Sequence, residues 1–213
     1  MKNLLQSLLL FFLFISFTAS SSIDENEKFL SFLEQEWQWE LAQNPVYATK
    51  MGVQGFETQW RDDSLKGIKL REAHIQNSFV ELKKFDLNSL NQTNQLNLRL
   101  YTQLTQTALN ISKYNRYLFP FNHRGGVQLA HEAVESLPLN TAEDYRFWIE
   151  RLKNLDKRIE QTISIARLGL ENNYKAPRVL MERVIDRLKY RANKTLKIIL
   201  SIKFLKNCHL LFL

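Results

Sequence analysis

Residues 138–177, PLNTAEDYRFWIERLKNLDKRIEQTISIARLGLENNYKAP, decide the fold class because they combine a helix start, a long apolar stripe and a helix stop. Asn140 or Thr141 supplies an N-cap, and acidic residues three positions later form a capping box in either register. Apolar side chains then recur every three or four residues at Tyr145, Trp148, Leu152, Leu155, Ile159, Ile163, Ala166 and Leu170. Asn172, Asn173 and Pro177 end the pattern. It predicts one helix of about thirty residues, roughly 45 Å long, that needs neighbours along its whole length.

The rest of the body also has helical patterns. Asp24 begins a helix that ends before Pro45, because a residue preceding proline avoids the helical region. Ser64 caps a helix to about Lys84, and residues 87–114 form a second long helical region. One face of that region carries Leu96, Leu100, Leu104, Ala108 and Ile111. With only six Gly and four Pro, the chain is predicted to be all-α, a multi-helix bundle of long antiparallel helices.

The net charge of +7 is confined to the ends of the chain. Of 29 Lys and Arg, one is Lys2 and six follow Leu188, so 22 lie in the body together with all 22 Asp and Glu. The body is formally neutral and has no basic stripe with interleaved aromatics, so a nucleic-acid partner is not expected.

The two ends differ from the body in composition. Residues 1–22 have a basic start, an apolar run and small residues, which is typical of a secretory signal peptide cleaved after Ser20, Ser21 or Ser22. The apolar run is shorter than the roughly 20 residues of a membrane span, so no stable span is expected after cleavage. The single cysteine, Cys208, excludes an internal disulfide. These features predict export to the periplasm or the medium.

The tail, residues 191–213, lacks acidic residues, Gly and Pro and is dense in Leu, Ile and Lys. Its lysines point in widely separated directions on a helix, so it is not a basic amphipathic membrane helix. We hypothesise that the reading frame shifts, or the gene is truncated, near residues 189–194. The organised part of the body is then residues 23–188.

One local cluster resembles a chemical site: His123, His131, Glu132 and Glu135. A short helix over residues 130–136 would place His131 and Glu135 four apart on one face, like the two ligands of an HExxH zinc helix, with His123 as the third ligand. A solvated helix end beside a loop is the simpler interpretation, and we assign no catalytic, cofactor-binding or metal-binding residue. His74 is interpreted as an ordinary histidine at the edge of the core.

Three segments resemble a bacterial family of mostly exported proteins known as domain of unknown function 885. Residues 43–52, QNPVYATKMG, resemble its early "NP..AT..G" segment, and Phe119 to Gly126 resemble its Pro/Asn/Gly-Gly loop. The most distinctive block is "T.EDY…RL…G…PR". Its positions here are Thr141, Glu143, Asp144, Tyr145, Arg151, Leu152, Gly169, Pro177 and Arg178. The resemblance covers roughly residues 27–188.

Members of that family are similar to zincin-type metallopeptidases, so the resemblance implies a zinc-dependent hydrolase acting on peptide-like substrates. Their metal site is associated with a Glu/His helix and a Pro-Gly-His-His type segment in the second half of a considerably longer chain. This sequence has neither adjacent histidines nor Pro-Gly-His, so no zinc ligand or catalytic glutamate is carried over.

The leading interpretation is therefore an exported N-terminal half of a metallopeptidase-like protein, an incomplete domain that is inactive alone. The stripe of residues 138–177, widened by Ile165 and Leu168, is where we expect uncovered apolar surface. The alternative is a small periplasmic helical binding or adaptor protein that uses residues 119–126 as its contact surface. A third interpretation is a metal site at His123, His131 and Glu135.

Overall fold

The computed structural model describes residues 24–121, 125–190 and 193–194. Within those ranges the protein is all-α and has no β-strand, which confirms the predicted fold class. The α-helices are α1 (Glu25–Gln43), α2 (Pro45–Lys50), α3 (Leu65–Leu82), α4 (Gln92–Ser112), α5 (Ala142–Lys153), α6 (Leu155–Glu171) and α7 (178–190). Shorter 3-10 helices cover Leu87–Ser89, Arg116–Leu118 and Val127–Ser136. The predicted leader, His123, Cys208 and all but two residues of the tail lie outside the described residues.

The helices α3 and α5 begin at the capping residues that the sequence predicted. The Ser64 hydroxyl accepts a hydrogen bond from the Gly67 backbone N–H (3.1 Å) at the start of α3. At the start of α5, Thr141 and Asp144 form a capping box. The Asp144 carboxylate accepts from the Thr141 N–H (2.8 Å), and the Thr141 hydroxyl accepts from the Asp144 N–H (3.2 Å). The hydrogen bonds to its carboxylate, first from the Thr141 N–H, then from the Thr141 side chain and the Asn140 N–H, hold the pKa of Asp144 below its usual value.

The hydrophobic core lies where α1 meets the hairpin of α3 and α4. Phe29, Leu82, Leu90 and Leu98 are its buried members. A polar bond aligns the ends of α1 and α4, since the Asn26 side-chain oxygen accepts from both the Asn91 N–H and the Asn94 side chain (2.9 Å each). Among the described residues ten apolar side chains are buried, and the four members of this core form one cluster of them.

The prediction of one long helix within residues 138–177 is wrong in one respect, because the helix breaks at Asn154 into α5 and α6. The Arg151 carbonyl, the regular acceptor for residue 155, instead accepts from the Trp60 indole N–H (2.6 Å) and the Asn154 N–H (3.2 Å). A side chain that inserts into the backbone ladder is a known cause of a break. The Asn154 side chain also donates to the Thr58 carbonyl (3.3 Å), which ties the break to the preceding loop.

Most of the apolar stripe that the sequence places on one face of α4 is exposed to solvent. Its Leu100 and Leu104 are 54% and 65% exposed, and Leu96 and Ile111 are exposed too. The buried face carries Asn94, Leu98, Tyr101 and Thr105. Polar groups occupy that face because they find partners there, such as the Glu36 carboxylate 2.6 Å from the Tyr101 hydroxyl.

The predicted stripe of α5 and α6 is also largely uncovered. Tyr145, Leu152, Ile159, Ile163 and Leu170 are exposed, as expected from the sequence. Ile165 differs from that expectation because it is buried, with 3% of its surface exposed. On α6 it shares the buried set with Thr162 and Gly169. The helix therefore packs through a narrower face than its stripe predicted.

Candidate functional site

Arg151 lies at the junction between α5 and the segment that follows α2. Its side chain is 0% exposed. Nη2 donates to the Thr49 hydroxyl (2.7 Å) and to the Phe56 carbonyl (2.6 Å). Within the described part of the chain, Nε and Nη1 have no hydrogen-bond partner. Burial lowers the pKa of Arg151 to about 10, although the nearby Glu57 carboxylate favours its charged form.

This junction joins two of the segments that carry the family resemblance. Thr49 belongs to the "NP..AT..G" segment and Arg151 to the "T.EDY…RL" block. The third segment is reached through α6, where a Cβ on Gly169 would clash with the Leu118 carbonyl just before the Phe119–Gly126 loop. The segments are thus close because they build one packed scaffold, rather than because each supplies a reacting group.

Trp60 fixes the loop of residues 59–63 onto α5 and α6. Its ring lies 5.8 Å and 5.1 Å from the guanidinium carbons of Arg151 and Arg158. It also packs edge-on against Trp148, with ring centroids 6.2 Å apart. The Asp63 backbone N–H donates to the Gln161 side chain (3.0 Å) in the same contact. The loop that the sequence showed only as polar is therefore a docking element.

Asp63 is the carboxylate that two arginines share. Nε of Arg61 and Nε of Arg158 each lie 2.8 Å from one of its oxygens. Burial alone would raise the pKa of Asp63, but the two guanidinium groups outweigh it and hold the pKa below its usual value. The Asp63–Arg158 pair links the loop before α3 to α6.

A polar cluster around Glu36 lies between α1, α3 and α4. Its carboxylate accepts from the Tyr101 hydroxyl (2.6 Å) and the Ser78 hydroxyl (2.9 Å), and lies 3.1 Å from His74 Nε2. Burial, and then the bond to Glu36, raise the pKa of Tyr101 well above its usual range. The Trp39 ring stacks on the His74 ring at 3.6 Å and 5°. The cluster is a set of mutually satisfied groups at the wall of a cavity of about 600 Å³.

Sequence reasoning placed His74 at the edge of the core but missed its partners. A glutamate three residues after Leu33 on the apolar face of α1 was the available signal for Glu36. Ser78 and Tyr101 gave no signal by themselves, because helical periodicity does not show which polar groups on different helices meet.

The structure separates the predicted His131 and Glu135 pair. Val127–Ser136 is a 3-10 helix rather than an α-helix. At three residues per turn, side chains four apart point about 120° away from each other, so the geometry of a zinc-binding α-helix is lost. The half-buried His131 lies 3.9 Å from the exposed Glu132, and Glu135 is exposed.

The residues that the structure describes do not fit a zinc site of the kind that the resemblance implies. No group of three His, Cys, Asp or Glu side chains in residues 24–121, 125–190 and 193–194 is arranged to hold a metal ion. The carboxylate of Glu36 already accepts bonds from Ser78 and Tyr101, so its pairing with His74 is structural. Among the same residues, no helix combines the length and apolar character needed to cross a bilayer.

The fold and these contacts define an all-α, multi-helix protein in which a buried arginine ties distant segments together. The chain belongs to the family described as "Bacterial protein of unknown function (DUF885)", whose model matches residues 45–200. The match includes Thr49 and Arg151, and it begins after Glu36. It also includes residues 191–200, the first part of the compositionally distinct tail. No curated protein matches the chain.

Proposed function

We propose that this chain is the N-terminal half of an exported, metallopeptidase-like hydrolase. In this proposal its helices wall the substrate cleft, and the zinc-binding residues belong to sequence beyond it. The observation that carries the proposal is the junction at Arg151. Two of the three segments that carry the family resemblance meet there on a buried arginine that binds a hydroxyl and a carbonyl of the chain itself. Such an arrangement serves architecture rather than bond cleavage.

The uncovered helix faces support the same proposal. Large apolar side chains on α4, α5 and α6 are exposed, among them Leu104 (65%) and Leu170 (60%), and an exposed apolar face is typical of an interaction surface. The occupant that we assign to these faces is the second half of the family domain, because the resemblance implies a considerably longer chain. Covering them would also enlarge the small core around Phe29 and Leu82.

Metal analysis and a peptidase assay on the purified full chain test the proposal. We expect substoichiometric zinc and no hydrolysis of a quenched fluorescent peptide above the level of the His131→Ala variant. We also expect the chain to self-associate through its exposed helix faces. Stoichiometric zinc that is lost in His131→Ala would instead establish the metal site at His123, His131 and Glu135. A metal-free, monodisperse and stably folded chain would favour the adaptor protein.

Export is a separate part of the proposal and needs its own measurement. Its support is the signal-peptide pattern of residues 1–22. Fused to alkaline phosphatase without its own leader, these residues should give activity in the periplasm, where that reporter folds. A fusion that replaces the apolar run Leu8 to Leu13 with polar residues is the control, and equal activity of the two fusions would contradict export.

A further inference from the structure

Two large cavities meet at a pair of arginines between α3 and α4. One has a volume of about 600 Å³ and is bounded by Trp39, His74 and Tyr101. The other, of about 700 Å³, extends along α6. Both are lined by Arg61, Arg71, Ile75 and Ala108, so the two cavities adjoin at these residues in one grooved surface. We call this the arginine groove and define it by Arg61, Arg71, Arg116 and Arg158.

The α6 end of the arginine groove carries more positive than negative charge. Four arginines line it, against the carboxylates of Asp63 and Glu72. Asp63 is shared by Arg61 and Arg158, and Glu72 is paired with Lys69 (2.6 Å). These carboxylates therefore leave the other arginines of the groove without an acidic partner.

Arg71 and Arg116 are those other arginines. Arg71 donates from Nη1 to the Asp62 carbonyl (2.8 Å), which is a neutral acceptor. Burial, and then the positive charge of Arg61, lower its pKa, and the Asp63 and Asp62 carboxylates offset only part of that shift. Arg116 is exposed and has no ion pair among the residues that the structure describes. A guanidinium group matches the two oxygens of a carboxylate, which it binds with paired hydrogen bonds.

The opposite end of the arginine groove is not cationic. The carboxylates of Glu36 and Glu40 line it together with Arg61 and Arg71, and both carboxylates already accept bonds from neighbouring side chains. Beside its arginines, the α6 end is also lined by the apolar residues Ile68, Ile75, Ala108 and Ile111. An occupant therefore needs an anionic group at one end and apolar groups along its length, which a peptide supplies and a bare phosphate ion does not.

We propose that the arginine groove binds a peptide through a carboxylate held by Arg71 and Arg116, with apolar side chains against Ile68, Ile75 and Ile111. The carboxylate is either the C-terminus of the peptide or an acidic side chain. This inference rests on the proposed hydrolase function, because it names the substrate class: peptides that present a carboxylate beside apolar residues.

Calorimetric titration of the purified full chain tests the proposal. The probes are a seven-residue alanine–leucine peptide with a free C-terminus, its C-terminal amide, and the amide with one central glutamate. The free-carboxylate peptide or the glutamate peptide should bind, and whichever binds identifies the source of the carboxylate. The uncharged amide should bind at least about tenfold more weakly, and binding should weaken with added salt because the contact is ionic.

Two variants and a control locate the binding. Arg116→Gln removes an exposed cation that has no structural bond, so the fold is not at risk, and it should weaken binding roughly tenfold. Arg71→Gln should do the same, with its folding checked by circular dichroism. Arg146→Gln, on an arginine that is 74% exposed and paired only with Glu143, should leave the affinity unchanged.

Four results would overturn the inference. They are no binding of any peptide, equal binding of the amide, unchanged affinity in Arg116→Gln, and saturation by inorganic phosphate without peptide binding. The titration involves neither zinc nor hydrolysis, so its outcome is independent of the metal and peptidase measurements. If the chain is metal-free, monodisperse and stably folded but binds the peptide, the hydrolase proposal is wrong and the assignment of the groove as a peptide site stands.

Discussion

The residue that most constrains this structure is Arg151, a fully buried cation that binds a hydroxyl and a carbonyl instead of a carboxylate. Burying a charge costs free energy unless the site supplies strong partners. Here the buried guanidinium group of Arg151 fixes the positions of both Thr49 and Phe56 against α5. The position therefore contributes more to the joining of segments than to net stability.

Truncation at Arg151 tests that description. Arg151→Ala leaves a cavity and removes the donor to Thr49 and Phe56, so we expect the free energy of unfolding to fall by about 3–5 kcal/mol. Arg151→Met should cost less, because it refills the volume and removes a buried charge that lacks an anion. Urea unfolding gives both values, with the exposed Arg146→Ala expected to stay within about 0.5 kcal/mol of the wild type. A larger loss in Arg151→Met than in Arg151→Ala would contradict the argument.

Asp63 gives a prediction for pH dependence. Its pKa is lowered in the folded protein, so its stabilising effect is complete above the unfolded value of about 4 and is lost as the pH falls through the folded value. Asp63→Asn should lower the free energy of unfolding by about 1–3 kcal/mol at pH 7. The difference from the wild type should shrink below pH 4, as measured by urea unfolding at the two pH values. A difference that is the same at pH 7 and at pH 3 would show that Asp63 does not act through its charge.

The α-helices show what the sequence could and could not predict. Helix starts followed from residues close in sequence, such as Ser64 or the Thr141–Asp144 capping box, and the structure has them there. The break at Asn154 was missed because its cause, Trp60, lies 91 residues away along the chain from the carbonyl that it binds. Periodicity identified an apolar stripe on α4 correctly. It did not show that the stripe is exposed, since a stripe does not reveal whether another element covers it.

The contact between α6 and the 3-10 helix Arg116–Leu118 provides a test of packing at this scale. Alanine is a better helix former than glycine, so Gly169→Ala in an open helix would stabilise α6 by roughly 1 kcal/mol. Here the added Cβ would strike the Leu118 carbonyl, which is backbone and does not move easily. We therefore expect a net loss of about 1–3 kcal/mol in the free energy of unfolding.

Thermal and urea unfolding show whether the Gly169→Ala variant is less or more stable than the wild type. Ser164→Ala, at an exposed position on the same helix, serves as the matched control and should change the free energy of unfolding by less than about 0.5 kcal/mol. Stabilisation of the Gly169→Ala variant would mean that α6 does not approach Leu118 as closely as described.

At the scale of the whole molecule, the described helices bury a small core and leave apolar faces open. The core residues Phe29, Leu82, Leu90 and Leu98 lie near one end of the α3–α4 hairpin. Leu96, Leu100 and Leu104 of α4 are exposed, and Leu104 also lines the cavity beside His74. The composition does not indicate these open faces, because 45% hydrophobic residues is an ordinary value for a globular domain.

The candidate site was less predictable than the fold, because contacts between distant segments of the chain do not show in the local sequence pattern. The sequence placed His74 at the edge of the core correctly. It did not show that Arg61, Arg71, Arg116 and Arg158 line one cavity, since they come from separate segments of the chain. Their convergence depends on the docking of Trp60 and Asp63 onto α5 and α6, which are contacts of long sequence separation.

The most direct test of the central claim is the binding of the dye anilinonaphthalene sulfonate to the folded chain. We claim that α4 presents an apolar face that the second half of the family domain covers. The wild type should therefore enhance the dye's fluorescence, and the double variant Leu100→Gln with Leu104→Gln should lose much of that enhancement while it stays folded. The matched double variant Gln103→Ala with Thr107→Ala should retain it. Equal dye binding by both double variants, or none by the wild type, would contradict the claim that this face is uncovered.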